Sequence, residues 1–362
     1  MVSSRPPAND VVEVTVLGPG RGECCVLHTG RGEWLVVDSC VMKDGSPAAL
    51  AYLRTIGVPA SAVRWIVATH WHDDHVRGLA DLVEQCSNAT VYQSAALCRD
   101  EFMRLAAIGN DAMIEGSSGV KEMWTAWTHL ADSGRSVPHL VRADQRIYLR
   151  DDQRDPSCEI WSLSPSNSSM VEACLKFRSL IPKEREPKRA VPRPKRNPAS
   201  VVAWVRTGQA IVLLGADLER SSDRERGWQA IVNSAGRPTD KAQLVKIPHH
   251  GSENAHDPQM WTELLVSDPY AAVTPFSCGS VRLPKKSDRS RIAELSFGAW
   301  LTRDTMLTRT IRRSRTVDKT FREVVRRSEL LSVDPGRVTF RCHADNPEEW
   351  EVDAPDPAVR LT

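Results

Sequence analysis

The chain opens with short apolar runs separated by glycine turns, at residues 11–17, 23–28 and 33–38. This pattern predicts three short strands in an antiparallel meander. Later apolar runs alternate with segments whose hydrophobic residues recur at helical spacing, as in 76–86, which follows the run 65–69. Strands that alternate with helices in both halves of the chain predict an α/β protein with layered sheets and helices.

Most of the remaining chain follows the same alternation. We predict further helices at 46–56, 95–107, 120–130, 169–180, 222–233, 258–266 and 287–300. Further strands are predicted at 90–92, 145–149, 158–163, 200–205, 209–214, 244–247, 270–273 and 337–342. The pair Thr207-Gly208 is typical of a hairpin turn between two of these strands.

Two segments interrupt the alternation and bound a main domain at residues 11–300. An insertion at about 165–198 ends in a proline-rich basic stretch, which contains Lys188, Arg189, Arg193, Lys195 and Arg196. A C-terminal extension at 301–362 is rich in arginine. Each segment fits a solvated surface. Alternatively, the basic insertion binds a polyanion, and the extension binds substrate or contacts a protein partner or a second copy of the chain.

Composition narrows the class of protein. The 48 lysines and arginines nearly balance the 46 aspartates and glutamates, so the total charge does not indicate a nucleic-acid-binding protein. The nine cysteines are scattered, odd in number and without a CxxC pair, which indicates reduced thiols rather than a disulfide framework. No secretory leader pattern and no apolar run near the ~20 residues that span a bilayer is visible. We therefore expect a cytoplasmic protein with no membrane segment.

The densest cluster of metal-binding residue types lies directly after the predicted strand 65–69. It comprises His70, His72, Asp73, Asp74 and His75. A strand-to-helix turn allows side chains to converge on one point. Imidazole nitrogens and carboxylate oxygens are ligands of a borderline divalent cation such as Zn²⁺, so the cluster predicts a metal site.

The second half of the chain offers further ligands at the ends of apolar strands. Asp217 follows the run 211–214, and His249 and His250 follow the run 244–247. Rigid strand ends are suitable supports for catalytic groups. A carboxylate such as Asp217 can bridge two cations ~3.5–4 Å apart, an arrangement suited to hydrolysis because a bound water then loses a proton near pH ~7.

These motifs resemble a known family. The sequence HWHDDH at 70–75 resembles the HxHxDH signature of the metallo-β-lactamase fold superfamily, and the segments 18–23 and 36–38 resemble its opening strands. The segment 213–217 resembles the LLTGD segment, and 246–252 resembles the LKVPHHGS motif of the branch similar to the nuclease-like domain of DNA-uptake competence proteins. The resemblance implies a four-layer αβ/βα sandwich, to which the insertion and the C-terminal extension are added.

The resemblance implies ligands from both halves: His70 and His72 for a first ion, Asp74, His75 and His250 for a second, and Asp217 as the bridge. The expected cofactor is one or two Zn²⁺ ions, with Mn²⁺ as the alternative. Many family members supply a third histidine to the first ion, whereas the matching region here is 197–200, which contains none. Occupancy of the first site is therefore left open. Asp38 is expected to fix the ligand loop by hydrogen bonds.

The catalytic roles remain partly open at this level. His249 would donate a proton to the leaving group or contact a phosphate, and either His249 or His250 is the ligand. Asp73 would act as a base or anchor a ligand, while Asp74 would combine metal binding with catalysis. Ser252 is a candidate substrate contact.

The branch resemblance and the basic segments favour a metal-dependent phosphodiesterase or nuclease. The alternative enzyme hydrolyses a thioester or lactam carbonyl, which leaves the basic insertion without a role. A third hypothesis is a metal-bearing component of a larger assembly, such as a bacterial defence system, in which the insertion and the extension bind partners.

Overall fold

Two eight-stranded sheets form the centre of the protein in a computed structural model. The structure describes residues 5–18, 22–98, 118–151, 156–181, 197–198, 200–278, 280–304 and 334–362. Each sheet begins as an antiparallel meander and continues into parallel strands. Helices cover the outer face of each sheet, so the predicted four-layer α/β sandwich is confirmed.

The first sheet is built mainly from the N-terminal half. Its strands are β1 (Val11–Gly18), β2 (Cys24–His28), β3 (Trp34–Val37), β4 (Val63–Ala68), β5 (Thr90–Ser94), β6 (His139–Val141), β16 (Gly336–His343) and β17 (Asn346–Asp353). They lie in the order β17-β16-β1-β2-β3-β4-β5-β6. The pairs from β17 to β3 are antiparallel and those from β3 to β6 are parallel.

The second sheet comes from the C-terminal half. Its strands are β7 (Gln145–Arg150), β8 (Cys158–Ser162), β9 (Ala203–Thr207), β10 (Ala210–Leu214), β11 (Ala242–Lys246), β12 (Leu265–Val273), β15 (Gly298–Leu301) and β18 (Val359–Arg360). They lie in the order β18-β15-β12-β11-β10-β9-β8-β7, and β10, β11, β12 and β15 are parallel neighbours. A separate hairpin pairs β13 (Phe276–Cys278) with β14 (Val281–Leu283).

The helices flank the two sheets. They are α1 (Ala48–Thr55), α2 (Asp73–Val76), α3 (Leu79–Gln85), α4 (Ser118–Asp132), α5 (Asn167–Leu180), α6 (Gly227–Val232), α7 (Pro258–Leu264) and α8 (Lys286–Glu294). Short 3₁₀ turns occur at Ala60–Ala62, Ala95–Cys98, Pro248–Gly251 and Glu253–Ala255. None of the helices in the described ranges is long and apolar enough to cross a membrane.

Alternation along the strands places one apolar set between the sheets and another under the helices. In β1, Val12, Val14 and Val16 face the second sheet and belong to the core between the sheets. Glu13 and Thr15 point the opposite way, where Glu13 accepts hydrogen bonds from the side chains of Tyr52 and Arg341. This polar network compensates a carboxylate that would otherwise be buried alone.

The structure differs from the sequence prediction at residues 287–300, and it shows where two other predicted segments lie. The predicted helix at 287–300 is the shorter α8 followed by β15, a buried strand paired on both sides by β12 and β18. The helix predicted at 169–180, within the start of the predicted insertion, is confirmed as α5, whose Met170, Ala173 and Phe177 join the core outside the first sheet. Strands beyond residue 300 lie in both sheets, and the predicted division of the chain at residue 300 stays a prediction.

Several predicted features fall outside the described residues. The predicted helix at 95–107 begins as the turn Ala95–Cys98, and the rest of it lies outside that part of the chain. The basic stretch within 182–196 does so as well, and so does the arginine-rich stretch at 302–327 from residue 305 onward. Their predicted roles therefore stay predictions.

His28 has a purely structural place at the end of β2. Its ring is buried, its Nδ1 donates to the carbonyl of Val11 at 2.7 Å, and its Nε2 accepts the amide of Gly32 at 3.0 Å. The backbone amide can only donate, so the proton of the neutral ring lies on Nδ1. Burial lowers the pKa of His28 from 6.5 to about 4.

We expect His28 to stay neutral until the pH falls to about 4. The unfolded chain takes up this proton near pH 6.5, so the free energy of unfolding should fall as the pH drops from 6.5 to about 4. The loss amounts to at most ~3 kcal/mol. Histidine-selective NMR titration of the metal-free protein gives the midpoint, and a midpoint near 6.5 would contradict the assignment. In His28→Gln, where an amide replaces both hydrogen bonds, this part of the pH dependence should disappear.

Candidate metal centre

The histidine-rich turn begins where β4 ends. The strand's buried residues fix its end, and α2 starts within the turn, so that Asp73 and Asp74 lie in the first helical turn. His70 and His75 are buried, with ring centroids 4.1 Å apart. The ring of His72 lies edge-on to that of His70, at 4.8 Å. The turn thus brings its imidazoles together, as the sequence predicts.

The ligands of the second half come from two adjacent parallel strands. Asp217 follows β10 through Ala216, which has a φ of 43°. His249 and His250 follow β11 with φ angles of 46° and 55°. The amide of His249 donates to the carbonyl of Ala216 at 2.9 Å, which ties the two turns together. Left-handed backbone is unfavourable for residues other than glycine and is concentrated at functional sites.

The ligand atoms from the two halves meet at Asp217. Its Oδ1 lies 3.3 Å from Nε2 of His75 and 3.8 Å from Nε2 of His250, and its Oδ2 lies 3.9 Å from Nε2 of His70. His250 Nε2 is also 3.5 Å from Oδ2 of Asp74. One oxygen of Asp217 therefore faces His75 and His250, and the other faces His70. The carboxylate of Asp217 therefore lies between ligand nitrogens from both halves, and its predicted bridging role stays a prediction.

The outer nitrogens of these imidazoles are held by hydrogen bonds. His75 Nδ1 donates to Oδ2 of Asp38 at 2.7 Å, and His250 Nδ1 donates to the carbonyl of Thr274 at 3.0 Å. Both acceptors lack a proton, so in the neutral rings Nδ1 carries the hydrogen and Nε2 presents a lone pair. These hydrogen bonds to the outer nitrogens orient the rings and fix the tautomer that a metal ion requires.

The outer nitrogen of His70 is also held by a hydrogen bond, in this case to Thr69. The Thr69 hydroxyl donates to Oδ2 of Asp38 at 2.7 Å, so it can only accept from Nδ1 of His70, 3.0 Å away. The Thr69 amide donates to Oδ1 of Asp38 at 2.7 Å. Asp38 thus connects the supports of two ligand rings, His70 and His75, and has the role that the sequence predicts for it.

Buried polar atoms test whether these residues fit a metal ion. Nε2 of His70, His75 and His250 and Oδ1 of Asp217 are buried without a hydrogen-bond partner among the described residues. Buried polar atoms almost always have partners, so four unsatisfied atoms converging from two halves require an explanation. A divalent cation bound by nitrogen and oxygen atoms supplies it. The residues present therefore fit the metal that the sequence motif implies.

The electrostatics of the cluster are dominated by Asp217. Burial alone would raise its pKa, but His75, His250 and His249 hold it well below the ordinary value. Burial alone would lower the pKa of His75, but Asp217, Glu23 and Asp38 hold it well above the ordinary value. A metal ion takes neutral imidazole, so metal binding releases protons from this cluster.

The sequence analysis missed two charged residues behind the cluster, Glu23 and Lys246, both buried and joined by an ion pair. Glu23 belongs with His75, Asp217 and His250 to a group of close donor atoms. Its oxygens, however, lie 3.6 Å from Nδ1 of His75 and of His250, on the side away from the converging Nε2 atoms. Glu23 is therefore placed to support ligands rather than to act as one. Glu23 stands at the start of an apolar strand, where the local sequence pattern does not distinguish a buried charged residue from an exposed one.

The remaining predicted site residues lie around the centre. His249 is partly exposed, with Nε2 3.9 Å from Oδ2 of Asp217 and Nδ1 3.1 Å from Oδ1 of Asn254. Asp73 accepts the amide of Gly119 at 2.6 Å, which anchors the first turn of α4. The amide of Ser252 donates to the carbonyl of His249 at 3.0 Å, so Ser252 closes the same turn.

The missing third histidine is replaced on this side by an asparagine. Asn197 donates through Nδ2 to Oδ2 of Asp217 at 3.2 Å, which is the same oxygen that faces His70. Ser200 Oγ accepts the amide of Asp217 at 3.2 Å and lies 3.5 Å from Nδ1 of His70. Asn197 and Ser200 therefore support Asp217 without supplying an imidazole.

The fold and the site together define an α/β sandwich protein with a metal-binding centre at the carboxyl ends of parallel strands. Residues 17–100 match the family model described as the metallo-beta-lactamase superfamily. The match runs from the end of β1 through β5 and includes the histidine-rich turn. No curated protein matches the sequence. The predicted place in the competence-protein branch stays a prediction.

Solved structures with similar folds are distant. The metallo-beta-lactamase fold protein YhfI from Bacillus subtilis is 13% identical with a TM-score of 0.40, over 81% of this chain and 95% of that one. Human tRNase Z, short form, is 14% identical with a TM-score of 0.33, over 68% and 86%. The MIM-2 metallo-beta-lactamase is 17% identical with a TM-score of 0.31, over 60% of this chain and 61% of that one. At TM-scores of 0.40 or lower, these likenesses assign no activity.

We expect Asp38→Asn to weaken zinc binding by about 10- to 100-fold, because the variant loses the carboxylate that orients His75 and anchors Thr69. Asparagine tolerates the left-handed backbone of residue 38, whose φ is 61°, so the turn itself should persist. Competition with a chromophoric chelator measures the affinity. Asp44→Asn, at an exposed carboxylate, is the matched control, and equal affinities in the two variants would contradict this role of Asp38.

Proposed function

We propose that the protein is a metal-dependent phosphodiesterase that acts on nucleic acid or on another phosphodiester. The observation that carries hydrolysis is the convergence of His70, His75 and His250 on Asp217, with ligand nitrogens from both halves. A bound divalent cation supplies a water of lowered pKa and stabilises negative charge on the reacting oxygens. We propose Zn²⁺ for this site, with Mn²⁺ as the alternative.

The residues around the ions have separate tasks in this proposal. Asp217 bridges, His70 and His72 form the first set of ligands, and Asp74, His75 and His250 form the second set. His249 lies at the edge of the metal centre, where its side chain is 21% exposed and its Nε2 faces Asp217. Asn254 engages its Nδ1, so the imidazolium form would donate a proton from Nε2 to the leaving oxygen. Asp73 retains the anchoring role given by its bond to Gly119.

Basic residues beside the ligand loop favour an anionic substrate. Phe276 of the hairpin stacks on His250 with ring centroids 5.1 Å apart, which places the hairpin against the metal centre. The exposed residues Arg282, Lys285 and Lys286 lie on this hairpin and at the start of α8. Lysine and arginine clusters attract phosphates, whereas a neutral thioester or lactam gives them no role.

The proposal also covers the location of the protein, its substrate contacts and its partners. We propose a cytoplasmic protein. We assign polyanion binding to Ser252, next to the metal centre, and to the basic stretch, which contains Lys188, Arg189, Arg193, Lys195 and Arg196. The segment 301–362 would contact a protein partner or a second copy of the chain. Its strands in both sheets mean that such a contact would be built on the sandwich rather than on a separate domain.

We expect His72→Ala and Asp217→Ala to abolish hydrolysis of a generic phosphodiester, because each removes a metal ligand. The loss of activity should exceed about 100-fold, while circular dichroism should show an unchanged fold. DNA, RNA and a thioester should be assayed beside the generic substrate. Turnover of the thioester alone would favour the carbonyl hydrolase, and metal binding without any turnover would favour a component of a larger assembly.

Neutralising Lys188, Arg189, Arg193, Lys195 and Arg196 together should weaken polyanion binding in a salt-dependent way. Because each phosphate contact contributes about 0.7–0.9 to the slope of log affinity against log salt, the slope should fall by up to about four. Turnover of a small phosphodiester should not change. An unchanged affinity for single-stranded and double-stranded DNA at low salt would remove this stretch from substrate binding.

A further inference from the structure

A buried charge pair joins the two halves directly behind the metal centre. Glu23 precedes β2 in the first sheet, and Lys246 ends β11 in the second. Glu23 is 2% exposed and Lys246 is 1% exposed. Lys246 Nζ donates to Oε1 of Glu23 and, at 3.1 Å, to the carbonyl of Ala216. Lys246 is among the largest fully buried side chains of the described residues, which is an unusual position for a lysine.

Glu23 contacts the supports of three ligands. Its amide donates to the carbonyl of Asp74 at 2.8 Å, which fixes the backbone of that ligand. Its Oε1 lies 3.6 Å from Nδ1 of His75. Its Oε2 accepts the hydroxyl of Thr274 at 2.5 Å and lies 3.6 Å from Nδ1 of His250. The carboxylate thus stands between the outer nitrogens of two imidazoles that come from different halves.

Lys246 reaches the fourth ligand through the backbone. Ala216, whose carbonyl it holds, has left-handed φ and immediately precedes Asp217. The ammonium group therefore holds the turn that presents the bridging carboxylate. His70 depends on other groups, since its Nδ1 lies 3.0 Å from Oγ1 of Thr69 and 3.5 Å from Oγ of Ser200.

From these contacts we infer that Glu23 and Lys246 are positioning residues for one of the two ions, the one held by Asp74, His75, His250 and Asp217. The inference rests on the metal centre of the proposed function and names the residues that hold its second half in place. A buried ion pair is often no more stabilising than an apolar pair of the same volume, so stability alone does not account for it. Its contacts with the supports of four ligands, Asp74, His75, His250 and Asp217, account for the pair.

The test removes both charges together, because either charge left alone in the interior would be strongly destabilising. The variant is Glu23→Gln/Lys246→Met, measured in two backgrounds. His72→Ala removes a ligand of the first set, so zinc that still binds reports on the second set. His250→Ala removes a ligand of the second set, so zinc that still binds reports on the first set. Zinc affinity is measured by chelator competition without substrate, so the result does not depend on whether the protein cleaves phosphodiesters.

In the His72→Ala background we expect the double substitution to lower zinc affinity by about 10-fold or more. In the His250→Ala background the loss should be clearly smaller, because Asp217 is the one ligand supported by the pair that the first ion shares. Equal losses in both backgrounds would overturn the inference, because they would indicate a general structural role. A lower melting temperature with unchanged zinc affinity would overturn it as well.

A second buried pair in the first sheet provides the matched control. Arg341 Nε donates to Oε2 of Glu13 at 2.6 Å, on the outer face of β1 and β16. Glu13→Gln/Arg341→Met removes a comparable pair and should leave zinc affinity unchanged in both backgrounds. If Glu23→Gln/Lys246→Met does not fold, Thr274→Val replaces it. That variant removes the hydroxyl that donates to Glu23 and lies 3.3 Å from Nδ1 of His250, and it should weaken zinc binding several-fold in the His72→Ala background alone.

Discussion

The structure depends on a buried carboxylate, Asp217, that must be compensated by groups from both halves of the chain. A buried charge without partners costs several kcal/mol, so the sheets can close over it only if imidazoles, an amide side chain or a metal ion surround it. His75 and His250 supply positive charge on one oxygen, and Asn197 donates to the other. The relative placement of the two sheets is thereby linked to the chemistry between them.

The turns that carry these groups show a related cost in the backbone. Within the described ranges, Asp38, Ala216, His249 and His250 all have positive φ, between 43° and 61°. Residues other than glycine keep such conformations only where the surroundings fix them, at roughly 1–3 kcal/mol each. Here the surroundings are hydrogen bonds between the turns themselves, such as His249 to Ala216 and Lys246 to Ala216. The ligands are therefore placed by interactions that the strands alone would not provide.

Sequence reasoning identified what is encoded locally. The opening meander, the strand before the histidine-rich turn and the runs before Asp217 and His250 show apolar patterns that need no knowledge of the partner strands. The pairing of β16 with β1 joins residues more than three hundred positions apart, and no local pattern reveals it. The overlong helix predicted at 287–300 has a similar origin, since the strand character of 298–301 comes from its neighbours β12 and β18.

Glu23 and Lys246 were missed for a different reason. A charged residue at the edge of an apolar strand normally points to solvent, and only the opposing sheet turns this position into the interior. The same fact shows how the centre is assembled. Glu23 of the first half stands behind His250 of the second, Lys246 of the second half neutralises Glu23, and Ser200 of the second half supports His70 of the first. Groups from each half support ligand side chains that belong to the other half. Neither half could therefore form the site by itself. Metal affinity is consequently a measure of how well the two sheets are packed together, as well as of the ligands themselves.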